Sequence, residues 1–189
     1  MNSNQHKFTA FTLIELLTII AVIGILAGIL IPLASGVIKQ ARIAASKARL
    51  WQYITAIENF KAEYNYYPSV YGNGNNGNGL IDCATNSANF IEALSGRDNS
   101  SGAPKSVGGN YRQIQFYSFS ENEFQNQDYT TNRLSDPFNN IYIYVMIDVD
   151  GDGKIRPYSS DPATPGEIRG NATAWVAANG DKPGYALWE

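Results

Sequence analysis

Two sets of carboxylates stand where carboxylates are costly or crowded. Glu15 lies in Phe11-Thr12-Leu13-Ile14-Glu15-Leu16-Leu17, at the head of an apolar stretch. An acidic side chain at the centre of an inserted helix costs roughly 2.5 to 3.5 kcal/mol and less near its end, so its presence predicts a cationic partner. Asp148, Asp150 and Asp152 alternate in Asp148-Val149-Asp150-Gly151-Asp152-Gly153. That is the first half of a D-x-D-x-D-G calcium loop, in which alternate carboxylates converge and glycine permits the sharp turn. Lys154 would add a backbone carbonyl and Ile155 an apolar anchor. Ser159 stands where the closing bidentate Glu belongs, so Asp161 or a water would have to complete the shell. The same residues also read as a polar hairpin turn using Asp-Gly for its positive φ angles, in which three bare carboxylates would repel one another.

Other chemistry is thinly represented. Cys83 is the single cysteine, which leaves no internal disulfide and no thiolate metal spacing; it reads as a small, partly buried residue. His6 is the single histidine and precedes the apolar run, so a histidine-based nucleophilic triad or a His-rich zinc site in the body of the protein is excluded. No cluster of nucleophile, base and oxyanion donor emerges, and a non-enzymatic role is expected. A net charge of −3 and a pI near 5.2, with Lys and Arg scattered, argue against a nucleic-acid partner. A chain of 189 residues that is 44% apolar has room for a membrane segment and one modest soluble domain.

The elements that must position these residues follow from periodicity. Residues 1–10 form a short polar leader in which Lys7 and His6 bring positive charge, predicting an N-terminus on the cytoplasmic side and a head outside the inner membrane. Leu16 to Ile38 carries no charge and as a helix spans roughly 30–35 Å, enough for a hydrocarbon core. Gly24 and Gly28 form a G-x-x-x-G pair suited to close helix packing, and Pro32 adds a point of bending that a membrane helix tolerates. Ile43, Leu50, Ile54, Ile57 and Tyr64 then recur on one face among polar residues, so the helix continues as an amphipathic rod of about fifty residues in all. Pro68 and the Asn/Gly run 72–79 mark its exit.

The expected divisions are a leader at 1–10, an assembly helix at 11–38, its amphipathic continuation at 39–65 and a globular head at 66–189. Within the head, Thr85 to Leu94 predicts a short helix capped by Thr85 or Asn86 and stopped by Gly96. Strands are expected at Tyr111–Phe119 and, most clearly, at Ile141–Ile147. A turn at Asp148–Gly153 should lead to a return strand at Lys154–Tyr158, with a further strand at Ala172–Ala177. The fold class is α+β, a long N-terminal helix packed on a small antiparallel sheet.

Phe11-Thr12-Leu13-Ile14-Glu15 resembles the start of mature subunits in the type IV pilin and type II secretion pseudopilin family. The resemblance implies a prepilin peptidase that cuts the Ala10–Phe11 bond and methylates the nitrogen of Phe11, with Ala10 standing where the family has Gly. It implies that Glu15 meets the free amine of a neighbouring copy's Phe11, selecting axial register by charge as well as by packing. Pro32 maps onto the family's helix-breaking proline. Tyr66-Tyr67-Pro68, Gly79-Leu80 and Asp136-Pro137-Phe138-Asn139-Asn140-Ile141-Tyr142 resemble downstream positions of the major pseudopilin, with Phe138 in place of Trp.

The implied partners are further copies in a homo-oligomeric filament, minor pseudopilins, the prepilin peptidase and an inner-membrane assembly platform. Major pseudopilins usually hold a calcium ion near the C-terminus, which makes Asn179-Gly180-Asp181 a competitor to the Asp148 loop. Five other readings stay open: a type IV pilin, a non-polymerising anchored calcium-binding module, a plain single-span anchor, a secretory signal cleaved near Ala34-Ser35-Gly36, and an anchored enzyme whose metal site would have to be the Asp148–Asp152 group.

Overall fold

The structure is a computed structural model that describes residues 12–74, 77–157 and 166–188, with the side chains of 30–35 and of 73 outside that description. The chain divides into two compact units, Met1–Ala41 and Arg42–Glu189. Helix α1, Leu13–Tyr64, is a single element of 52 residues, close to the expected length of about fifty. It runs through Gly24, Gly28 and Pro32 without a break. In the first unit its apolar side chains from Leu13 to Ile29 are largely exposed, Leu13 at 80% and Leu26 at 54%. No helix among the described residues is long and apolar enough to cross a membrane. The uncharged run of the sequence extends on to Ile38, through the six positions whose side chains fall outside the description.

The second unit is built on the amphipathic stripe. Leu50, Tyr53, Ile54, Ile57 and Phe60 of α1 are buried, and Ile43 and Tyr64 pack at the two ends of the same face. Burial of each such side chain contributes about 1.5–3 kcal/mol. Helix α1 ends where Asn65 takes a left-handed conformation (φ 63°) and donates its N–H to the Lys61 carbonyl at 2.7 Å.

Helix α2, Cys83–Ser95, starts earlier than expected. Its N-cap is Asp82, whose Oδ1 accepts from Ala84 N–H at 2.9 Å, while Thr85 and Asn86 fall inside the first turn. The reason is local: a strand runs directly into the helix, so its last residue is already placed to cap. Gly96 closes α2 as anticipated, at φ 66° with its N–H on the Glu92 carbonyl. Phe90, Ile91 and Leu94 of α2 join the core.

Strands β1 (Gly72–Asn73), β2 (Asn78–Asp82), β3 (Ile143–Asp148), β6 (Ala172–Val176) and β7 (Tyr185–Ala186) form an antiparallel sheet in the order β1-β2-β3-β6-β7. Val145 pairs with both Ile81 and Ala174, which fixes the central register. Ile81, Ile143, Val145, Ile147, Ala174 and Val176 face the two helices. Met146 and Trp175 point the other way, into a smaller cluster with Ile155 and Ala186. The indole N–H of Trp175 is buried and finds no acceptor among the described residues.

Two strand expectations need correction. β4 (Lys154–Ile155) pairs with β5 (Ile168–Arg169) in a separate two-stranded sheet, because both edges of β3 are already occupied by β2 and β6. The expected strand at 111–119 is irregular chain. Phe116 and Tyr117 both donate their N–H to the Leu94 carbonyl, at 2.8 and 3.1 Å, and Phe116, Tyr117 and Phe119 all pack against the core, which a period-two strand could not do.

Candidate assembly segment and cation loop

Glu15 stands in the first turn of α1. Its carboxylate accepts from the Thr12 N–H at 2.9 Å and from the Thr12 hydroxyl at 2.6 Å, and its own N–H donates to Thr12 Oγ1 at 3.3 Å. This reciprocal arrangement is a capping box, a T-x-x-E signature legible in Thr12-Leu13-Ile14-Glu15. Thr18 likewise turns its hydroxyl onto the carbonyls of Ile14 and Glu15, each at 2.9 Å. Both threonines therefore satisfy their hydroxyls within the helix, the arrangement a polar side chain needs where water is excluded.

Of the residues singled out with Glu15, Gly24 lies further along α1, and beyond its chain neighbours and the adjacent turns of helix backbone no described atom comes within 4 Å of where a Cβ would stand. Pro32 lies in the backbone of α1 with its side chain outside the described residues, as Ala10 and Phe11 are altogether.

The three alternating aspartates do converge: one carboxylate oxygen from each of Asp148, Asp150 and Asp152 lies within 4.8 Å of the others. Ligand distances of about 2.3–2.6 Å around a calcium ion place neighbouring oxygens at such separations. The loop folds by threading backbone donors onto Asp148, whose Oδ1 accepts from Gly151 N–H and Oδ2 from Gly153 N–H, both at 2.8 Å. Gly151 and Gly153 carry φ of 76° and 74°. Burial works against ionising Asp148, yet the Gly153 N–H, a hydrogen bond shared with Asp150 and the Gly151 N–H together hold its carboxyl below the usual range. Asp150 is pushed up, first by that shared hydrogen bond with Asp148 and then by burial. The turn at Gly77 closes against this loop so tightly that a Cβ there would collide with the Asp150 carboxylate.

The donor chemistry therefore suits a hard cation, but two positions are otherwise engaged. Asn78 Nδ2 donates to the Lys154 carbonyl at 3.0 Å, and Arg156 holds Asp152 Oδ2 at 2.8 Å. Ser159 and Asp161 lie outside the described residues. At the rival loop, Asn179 and Lys182 close a tight turn around Gly180, and no carboxylate group gathers there among the described residues.

Two buried polar networks escape sequence reading. Glu123, 3% exposed, accepts from Tyr53 OH (2.7 Å), Tyr117 OH (3.0 Å), Ser120 N–H (2.9 Å) and Ser120 OH (2.7 Å), with Arg49 Nε at 3.8 Å. Burial, then the Glu123 charge, raises the phenols of Tyr53 and Tyr117. Ser120-Glu121-Asn122-Glu123 is again a capping-box pattern, the signature that could have flagged it.

Asp136 opens the Asp-Pro-Phe-Asn-Asn turn into β3, accepting from Phe138 and Asn140 N–H at 2.8 Å each, and from Tyr185 OH at 2.6 Å. The Tyr185 hydroxyl also lies 2.6 Å from Ser46 Oγ on α1. Compared with known proteins, the chain matches no family model, no curated protein and no solved structure.

Proposed function

We propose that this chain is a structural subunit of a type II secretion pseudopilus, processed by a prepilin peptidase and polymerised through the N-terminal part of α1 to drive protein export. One observation carries the reading. From Leu13 to Ile29, α1 exposes an apolar surface broken in its first turn by a single carboxylate, Glu15. Such a surface is unstable in water and calls for lipid or the same helix of other copies. A carboxylate carried into that setting calls for a cation of matching depth, and the amine freed at Phe11 by cleavage after Ala10 supplies one.

In the free chain the Thr12 capping box shields Glu15, so assembly exchanges a local hydrogen-bonded arrangement for an ion pair with a neighbouring copy. The pilin-like fold belongs to this proposal, as do the inner-membrane position with a cytoplasmic N-terminus and a periplasmic head. So does the structural rather than catalytic role. Calcium held by Asp148, Asp150 and Asp152 would brace the loop between β3 and β4 without taking part in chemistry.

Mass spectrometry of the protein purified from cells with a working processing peptidase tests the reading. An N-methylated Phe11 is expected. A chain still beginning at Met1 overturns it, and one beginning near Ser35 or Val37 assigns the apolar run to ordinary secretion.

A further inference from the structure

Between Ser120 and Asn140 the chain doubles back around a cavity of about 390 Å³, wholly within the second unit. Gln125 N–H donates to the Arg133 carbonyl and Ser135 N–H to the Glu123 carbonyl, each at 2.8 Å, which ties together the two runs of chain that line it. Four of the lining residues, Asn122, Asn126, Gln127 and Asn139, carry carboxamides. Two of these are locked to each other: Asn126 N–H donates to Asn139 Oδ1 at 2.9 Å, and Asn139 Nδ2 to Asn126 Oδ1 at 2.8 Å. Asn122 Oδ1 accepts from the Ser120 hydroxyl at 2.6 Å. Asn122 Nδ2, Asn126 Nδ2 and the whole Gln127 carboxamide meet no partner among the described residues. Asn126, Gln127 and Asn139 also stand in the left-handed region, with φ of 60°, 55° and 59°. Asparagine tolerates that region and glutamine enters it rarely, so a turn that needed only the backbone shape would take glycine. Side chains kept at strained positions are a mark of functional constraint.

We propose that this cavity binds a neutral saccharide of about one or two sugar rings. Its volume falls in the range of roughly 300–1,000 Å³ typical of small-molecule sites. A carboxamide both donates and accepts, as does a sugar hydroxyl, so the N–H and C=O of one amide can meet two adjacent hydroxyls. A charged ligand fits less well. Asp136 is the one ionisable residue of the lining; it is 4% exposed and its oxygens already accept from Phe138 N–H, Asn140 N–H and Tyr185 OH. Arg49 donates to the carbonyls of Asn122 and Ser135 at 3.4 Å and Lys182 to that of Asn139 at 2.7 Å, and neither side chain belongs to the lining. An anion would therefore enter without a counter-ion. Only Phe124 and Pro137 are apolar, and Phe124 is 3% exposed, which leaves little for the side chains of a peptide. The pairing of Asn126 with Asn139 fixes part of the donor set before a ligand arrives, which lowers the ordering cost of binding. The site lies in the head alone and is independent of filament assembly.

The test titrates the full-length chain, kept in solution by a zwitterionic detergent without a sugar headgroup, with glucose, galactose, mannose, N-acetylglucosamine and maltose, followed by calorimetry and saturation-transfer NMR. At least one should bind, about tenfold more tightly than its uronate counterpart. Gln127→Gly keeps the left-handed backbone and removes the carboxamide, so it should weaken binding about tenfold with no fall in thermal midpoint. Asn126→Asp keeps the oxygen that meets Asn139 Nδ2 and removes both N–H donors, and should weaken binding to a similar degree. Absence of binding by every sugar at roughly 10 mM overturns the proposal, as does an affinity unchanged in either variant. Tighter binding of N-acetylglycylglycinamide than of every sugar also overturns it and assigns the cavity to a peptide.

Discussion

Residues 13–29 and residues 50–60 of this protein belong to the same helix and are both rich in apolar side chains, yet their surroundings are opposite. Leu50, Tyr53, Ile54, Ile57 and Phe60 are all but sealed by α2 and the sheet, while Leu13, Ile14, Leu16, Ile19 and Ile23 remain open. The buried stretch has polar residues on its far face, so one chain can satisfy it. The exposed stretch is apolar on nearly every side, so no single face of it is set aside for the chain's own core. Apolar content alone therefore does not say what a segment does. Its angular distribution decides whether one face of the segment can close onto the fold's own core.

The most drastic way to break this comparison is to remove the one charge from the exposed stretch. Glu15→Leu should leave membrane insertion intact and abolish filament formation, read by sedimentation and electron microscopy of the assembled fraction. A variant that still assembles would reduce Glu15 to its capping role with Thr12.

Next in size is a pair of truncations, one in each stretch. Phe60→Ala should destabilise the head by about 3–5 kcal/mol. Ile19→Ala should leave its thermal midpoint unchanged, both followed by near-ultraviolet circular dichroism. A shift from Ile19→Ala would mean that the exposed stretch contributes to the head's own stability.

Through Tyr53 the buried stretch also carries an alkaline pH signature, which it shares with Tyr117 and Tyr185 elsewhere in the head. Burial raises the phenols of Tyr53, Tyr117 and Tyr185 above their usual value, so the folded state favours their protonated forms. The associated stability is full below the unfolded tyrosine value of about 10 and is lost as pH rises through the folded values. Phenolate absorbance should then appear together with loss of tertiary signal above that pH, not before it. Tyr53→Phe should soften the coupling.

The smallest effect concerns the acidic loop, which neither stretch of α1 supplies. If Asp148, Asp150 and Asp152 hold calcium, saturating the head at about a hundred times the dissociation constant stabilises it by about 2.7 kcal/mol. Chelation should lower the thermal midpoint accordingly, and Asp150→Asn should remove the response. Absence of any calcium response in the unsubstituted chain returns the loop to a hairpin turn closed by Asp148.

Legibility followed the range of the interactions involved. The stripe Ile43 to Tyr64, the strand around Val145 and the stop at Gly96 depend on neighbours within a few residues, and sequence periodicity and residue type display them directly. The same is true of Asp148 to Gly153, whose turn is made by its own backbone donors. The Asp82 cap was hidden because β2 had to be seen running straight into α2. The 111–119 segment misled because three aromatic residues mimic a strand while all turning to one core.

What the sequence determined by itself is thus a helix with one apolar and one amphipathic half, a lone Glu15 near its start, a strand leading into an acidic turn, and an α+β class. Only the tertiary structure decided that β3 takes β2 and β6 as neighbours and sends β4 to β5. The same holds for Glu123, which collects Tyr53, Tyr117 and Arg49, and for Asp136, which is tied through Tyr185 to Ser46. The physical reason is range: periodicity records which face of an element avoids water, whereas strand pairing and buried hydrogen bonds depend on which distant groups remain unsatisfied when those faces close together.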